Sequence, residues 1–150
     1  MNSAQFTHSA PTYMTFRIKG WMKWSLIGAA IWNIFGGVNA LADPVMHFSQ
    51  LYAGQLSLAD PLQLYFFRCV WINVIAWGLG YALAAFVRGP HTAILVAGGL
   101  GKFFYCAACF ALFATGMGKG MLVFAGVVDL LLGLLFAAMV LRRRGSMATT

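Results

Sequence analysis

Four long apolar runs constrain this chain more than anything else in it. They cover residues 24–42, 61–87, 92–115 and 120–141, and each is continuous rather than alternating. A helix needs about 20 apolar residues to cross a hydrocarbon core of about 30 Å, whereas a barrel strand needs about ten with alternating polarity. The runs therefore predict four membrane-spanning helices, the second long enough to tilt or to project from the bilayer. Composition agrees: 9% of the 150 residues are charged and 61% are hydrophobic, where a soluble domain carries about a quarter charged residues. The expected architecture is all-α, a transmembrane four-helix bundle over residues 24–141. An N-terminal tail of residues 1–23 precedes it and a basic tail of residues 142–150 follows.

The basic residues orient the bundle. Arg17, Lys19 and Lys23 precede the first run, Arg88 follows the second, and Arg142, Arg143 and Arg144 follow the fourth. The opposite side carries Lys119 alone. Lysine and arginine accumulate on the cytoplasmic side of membrane proteins, so both termini of this multi-pass chain are expected in the cytoplasm. The net charge of +7 then reads as topology rather than as a nucleic-acid footprint. The arginine triplet would add affinity for anionic lipid.

A repeated phrase marks the first loop. Leu-Ala-Asp-Pro occurs at Leu41 to Pro44 and again at Leu58 to Pro61. The first copy resembles a signal-peptidase site, with small residues before Asp43. Both copies also resemble helix starts, because Asp caps free N–H groups and Pro fits the first helical position. Twenty-three residues precede the first run, and Asn33, Gly36, Gly37 and Asn39 interrupt it, unlike a signal peptide. The helix-start reading is preferred, and the first run is expected to be retained. It predicts a short interfacial helix after Pro44, with Val45, Phe48, Leu51 and Tyr52 on one face at helical spacing, lying apolar side down on the outer membrane surface.

Several apparent motifs dissolve in this setting. "GGLGKFF" at Gly98 to Phe104 lacks the spacing and the terminal Ser or Thr of a phosphate loop, and it sits inside a span. His8, His47 and His91 are isolated, with no second ligand at metal spacing, so no metal site is expected. No nucleophile–histidine–acid pattern stands out, and no catalytic residue is assigned.

The middle of each span is more informative. Asn33, Asn73, Lys102 and Asp129 fall near the centres of the four runs, one apiece, each flanked by small residues three or four positions away. Small residues let membrane helices approach closely, and polar groups can then hydrogen-bond between them. The four stripes are expected to face one another as a buried polar layer. Lysine or aspartate at the bilayer centre costs about 2.5–3.5 kcal/mol, which favours a Lys102–Asp129 pair. Counted from the 116–119 turn at about 1.5 Å per residue, Lys102 lies about 21 Å deep and Asp129 about 15 Å. The lysine side chain would have to span the difference, with Asn73 or water completing the contact. A register pin and a proton or ion relay both fit these residues.

Two further sets of residues raise alternatives. Arg68 is an embedded charge, expected to snorkel toward the outer headgroups with Tyr65 and Trp71 alongside, or to meet a lipid headgroup or quinone carbonyl. Cys106 and Cys109 form a CxxC within a helix, and Cys69 lies at a similar depth. These three are redox candidates, although a mid-helix CxxC lacks the exposed helix N-terminus that activates thiolates.

"WNIFGG" with a following "DP", "GLGYALAA" with "GP", "GGLGK" and "DLLLGLLF" together resemble the DoxX-like family of small bacterial four-span membrane proteins. The resemblance covers roughly residues 24–136 and leaves the N-terminal tail outside. It implies a four-helix fold in a bacterial inner membrane, with a loose link to thiol or quinone metabolism, and it transfers no catalytic residue. Three functional readings follow. The first is a non-enzymatic accessory or structural subunit, in contact with the lipid bilayer and with other membrane subunits or itself. The second is a DoxX-like redox protein, for which a quinone is the one cofactor suggested. The third is a small dimeric transporter, although the first span lacks the acid that four-span exporters carry.

Overall fold

The computed structural model describes residues 18, 20–53, 58–89 and 91–147, with side chains through residue 142. His8, Arg17, Lys19 and the side chains of Arg143 and Arg144 lie outside the described residues. Five helices follow in order: α1 (Trp21–Ala42), α2 (Pro44–Leu51), α3 (Pro61–Phe86), α4 (Thr92–Ala114) and α5 (Gly120–Met147). Four of them are long and apolar enough to cross a membrane, and α2 is the short helix between the first two spans. The protein is a small four-span integral membrane protein with a helical-bundle fold.

Helix boundaries follow local chemistry. The Asp43 carboxylate accepts from the Met46 backbone N–H at 3.0 Å, and Asp60 accepts from Leu62 N–H at 2.8 Å. Each aspartate is followed by proline at the first helical position. Both copies of the repeated phrase therefore start helices by satisfying donors that have no partner in the first turn. At the end of α4, Gly116 has φ +76, Gly116 N–H donates to Phe113 O, and Met117 N–H donates to Leu112 O. This is a Schellman turn, which needs a left-handed residue that glycine supplies without steric cost. Two boundaries differ from expectation. Helix α1 begins at Trp21 because Lys23 does not interrupt it; its ammonium sits 4.5 Å from the Phe86 ring centre. Helix α5 runs on through the arginines to Met147, since arginine is a good helix former once the chain has left the apolar region.

The bundle is built from two helical hairpins. Helix α1 packs along α3, and α4 packs along α5; contact between the two pairs is sparser. Glycines set the closeness within each pair. A Cβ at Gly78 would lie 3.1 Å from the Ala30 carbonyl oxygen, and one at Gly37 would lie 3.1 Å from the Trp71 carbonyl oxygen. In the other hairpin, a Cβ at Gly126 would lie 2.9 Å from the Cβ of Cys109. Such approaches allow backbone-level van der Waals contact, which drives helix association where apolar burial against lipid contributes little.

The polarity of the bundle is inverted. Phe35, Phe104 and Trp24 are mostly exposed, whereas Asn33, Lys102 and Asp129 are buried. One apolar cluster, including Ile18, Leu26, Tyr81, Leu95, Phe136 and Met139, fills the end where Lys23, Arg88 and Arg142 lie. Arg142 there stands 5.6 Å from the ring of Trp21, a cation–π contact between α5 and α1. A second cluster, built on Leu51, Cys109 and Leu122, fills the α2 end.

Helix α2 is clamped to the bundle rather than laid beside it. Ala53 N–H donates to Met117 O and Lys119 N–H donates to Leu51 O, both at 2.8 Å, so the chain after α2 pairs with the α4–α5 turn. Lys119 Nζ also donates to the Ser49 carbonyl at 2.5 Å. The face expected on the membrane surface is split as a result. Leu51 is buried, and Phe48 stacks on Tyr52 and Phe67 at 4.7 and 5.7 Å, whereas Val45 is exposed. Helical spacing placed the four residues on one side of α2, but the hydrogen bonds to the next turn decided which of them reach the core.

Candidate functional site

Three of the four mid-span polar residues meet between the two apolar clusters. Lys102 Nζ donates to Asp129 Oδ1 at 2.7 Å and to Asn33 Oδ1 at 3.2 Å. Lys102 is 4% exposed, Asn33 7% and Asp129 9%, so lipid and bulk water are both excluded from the group. The stripes that flank these residues face inward with them: Ala29, Ala30 and Gly37 on α1, Gly98, Gly99 and Cys106 on α4, and Gly126 and Gly133 on α5. The aspartate contact joins α4 to α5 within one hairpin. The asparagine contact joins α4 to α1 in the other. Lys102 therefore ties the two hairpins together where they otherwise touch least.

The electrostatics favour this closure. Unpaired, each charge would bear the full desolvation cost of the interior. Paired at hydrogen-bond distance they are neutral together, and the amide oxygen takes a further ammonium proton. The Tyr81 ring lies 5.8 Å from the ammonium and adds a cation–π contact. Tyr81 is almost fully buried and packs on Phe136 at 5.0 Å, with its hydroxyl end pressed against Gly98. Its role was missed in the sequence, where it is one aromatic in a run of small residues; the glycine facing it on another helix is the only signal, and it is not local.

Asn73 is the exception. It is exposed on α3 and lines an open groove of about 300 Å³ with Ala76, Trp77, Gly80 and Ile94. Its expected part in completing the Lys102–Asp129 contact falls to Asn33, another member of the expected layer. The cause lies in α3 itself, which carries two small-residue faces. Gly78 and Ala85 are buried, and five residues from Asn73 to Gly78 rotate the helix by about 140°. The bundle uses the Gly78 face because Gly78 admits the Ala30 carbonyl and the Asn33 side chain.

The remaining candidates are dispersed. Arg68 is exposed on α3. Of its expected aromatic neighbours, Tyr65 stacks on Phe66 at 5.7 Å, while Trp71 turns inward against His47 at 4.6 Å. All three cysteines are free; Cys69 is exposed, whereas Cys106 and Cys109 are buried on the face of α4 that meets Gly126. Among the described residues, no three His, Cys, Asp or Glu side chains group at metal-binding distance. His91 Nε2–H donates to the Val87 carbonyl at 2.8 Å. His47, in α2, has a buried Nε2 with no hydrogen-bond partner, and burial pushes its imidazole below the ordinary value.

No protein-family model, no curated protein and no solved structure matches the chain.

Proposed function

We propose that this chain is a non-enzymatic accessory or structural subunit that works by associating with other proteins in the membrane, and that its buried polar layer is a structural pin. The closed contact of Lys102 with both Asp129 and Asn33 supports the pin most directly. A relay needs groups that exchange protons or ions with an aqueous path, whereas this ammonium is held by two acceptors between apolar clusters. The cysteines act as packing elements on this reading, supported by the burial of Cys106 and Cys109 against Gly126. A DoxX-like thiol or quinone role would need those thiols within reach of an electron acceptor. A transporter role would need Asp129 free to bind its cargo, and Lys102 occupies it.

The membrane placement belongs to the same proposal. Lys23, Arg88 and Arg142 share one end of the bundle, and that end lies in the cytoplasm of a bacterial inner membrane under the positive-inside rule. Arg68 then reaches toward the headgroups of the other leaflet. Native membranes solubilised in a mild detergent, sized and examined by mass spectrometry, test the function. A stable assembly with other chains or copies is expected. A monomer that carries a quinone would overturn the reading in favour of redox work.

A further inference from the structure

Asn73 presents an amide to the middle of the membrane, and no described residue of its own chain receives it. It lies about 18 Å along α3 from Pro61 and about 20 Å from Phe86, at 1.5 Å per residue. Its side chain is exposed and, among the described residues, makes no hydrogen bond within the chain. Hydrocarbon offers neither donor nor acceptor, so a carboxamide at this depth is costly until a protein group pairs with it. The groove beside it is lined by Ala76, Trp77 and Gly80, with Ile94 of α4 packed over Gly80, and the small, exposed Ala76 leaves room for a neighbouring helix next to the amide. Cys69, also exposed, lies one turn away on the same side of α3.

We propose that the occupant of this groove is α3 of a second copy of the chain, in a two-fold dimer whose Asn73 side chains hydrogen-bond to each other. The assignment rests on the reading that the protein acts by association, and it names the partner. A two-fold axis along the membrane normal brings identical residues together at identical depth. Few polar side chains satisfy themselves across such an axis. Asn does, because each carboxamide carries both a carbonyl acceptor and N–H donors, whereas a lysine or aspartate at this site would repel its mate. A lipid chain would fill the groove but leave the amide unpaired.

Cys69 is a native reporter for this arrangement. Copper-phenanthroline oxidation of membranes holding the full chain is expected to yield a disulfide-linked species of twice the chain mass. Cys69→Ser should abolish it, while the buried Cys106 and Cys109 do not substitute. Asn73→Leu should lower the dimerisation constant about tenfold, read as linked fraction across a series of lipid-to-protein ratios. Asn73→Gln should restore most of it, and neither change should alter monomer melting in harsh detergent. Phe104→Cys, placed in the Cys69→Ser background on the exposed side of α4, controls for random collision and should not link. Absence of a Cys69-dependent doubled species, or unchanged linking in Asn73→Leu, overturns the dimer. So does Cys69 linkage only to a protein of another mass. A large native assembly without the Cys69 link removes the dimer and leaves the association reading standing, whereas a monomer in native membranes removes both.

Discussion

Asn33 and Asn73 are nearly equivalent in the sequence and opposite in the structure. Each sits in the middle of a span among small residues, yet Asn33 is buried against the Lys102 ammonium and Asn73 opens onto a groove. The difference shows that a polar residue in a small-residue stripe predicts a helix contact without saying whose helix it meets. Around Asn33, a buried ion pair needed one more acceptor and the close approach of α1 to α3 delivered it. Around Asn73, α3 had already spent its Gly78 face on α1, so the second small face was left outside.

That contrast can be sharpened by substitution, and the largest effect belongs to the buried side. Asp129→Leu or Lys102→Met leaves one charge without its partner, and loss of a partner from a buried pair costs about 3–5 kcal/mol. Either variant should melt well below the native protein in detergent, as followed by circular dichroism. Gly78→Val comes next. Its Cβ would meet the Ala30 carbonyl at 3.1 Å, a backbone atom that cannot turn aside, and overpacking of this kind costs about 1–3 kcal/mol. The same substitution at Gly101, where an added Cβ meets nothing within 4 Å, should be nearly silent.

Asn33→Leu and Asn73→Leu then compare the two asparagines directly. The first removes one hydrogen bond from Lys102 and should cost about 1 kcal/mol, in the range measured for polar contacts between membrane helices. The second should leave monomer stability unchanged, since the side chain has no hydrogen-bond partner among the described residues. Equal losses at the two positions would erase the distinction.

The smallest effect concerns pH at the α2 end. Burial holds the folded-state His47 below its ordinary value of 6.5, so the unfolded or undocked segment binds a proton more readily than the docked one. The contribution of His47 to α2 docking is therefore fully present above pH 6.5 and is lost progressively as pH falls from there through the lowered folded-state value. Trp71, 4.6 Å from the imidazole, should report the change as a shift in tryptophan emission between about pH 8 and about pH 5. His47→Gln should flatten the response.

Most of the fold was legible because it depends on local quantities. Run length sets the number of spans, and the two Asp-Pro pairs mark the starts of α2 and α3 by chemistry that needs no tertiary partner. The Lys102–Asp129 pair was legible for a different reason: two charges in neighbouring spans have few other ways to lower their cost. The identity of the third member was not, because the choice between Asn33 and Asn73 turns on which face of α3 meets α1. The docking of α2 was hidden for a similar reason. Its buried face is selected by hydrogen bonds from Ala53 and Lys119 to residues far along the chain, and periodicity within eight residues carries no trace of them. Tyr81 and Trp71 likewise gain their places from glycines on other helices.

The pin itself is tested most directly by a double-mutant cycle on Lys102 and Asp129. Thermal midpoints of the native protein, Lys102→Met, Asp129→Leu and the double variant, in one detergent, yield the coupling between the two side chains. If they are paired across α4 and α5, each single change lowers the midpoint sharply and the double change recovers part of the loss, because no charge is left stranded. Strictly additive losses would contradict the pin and leave each residue to be explained by a separate neighbour.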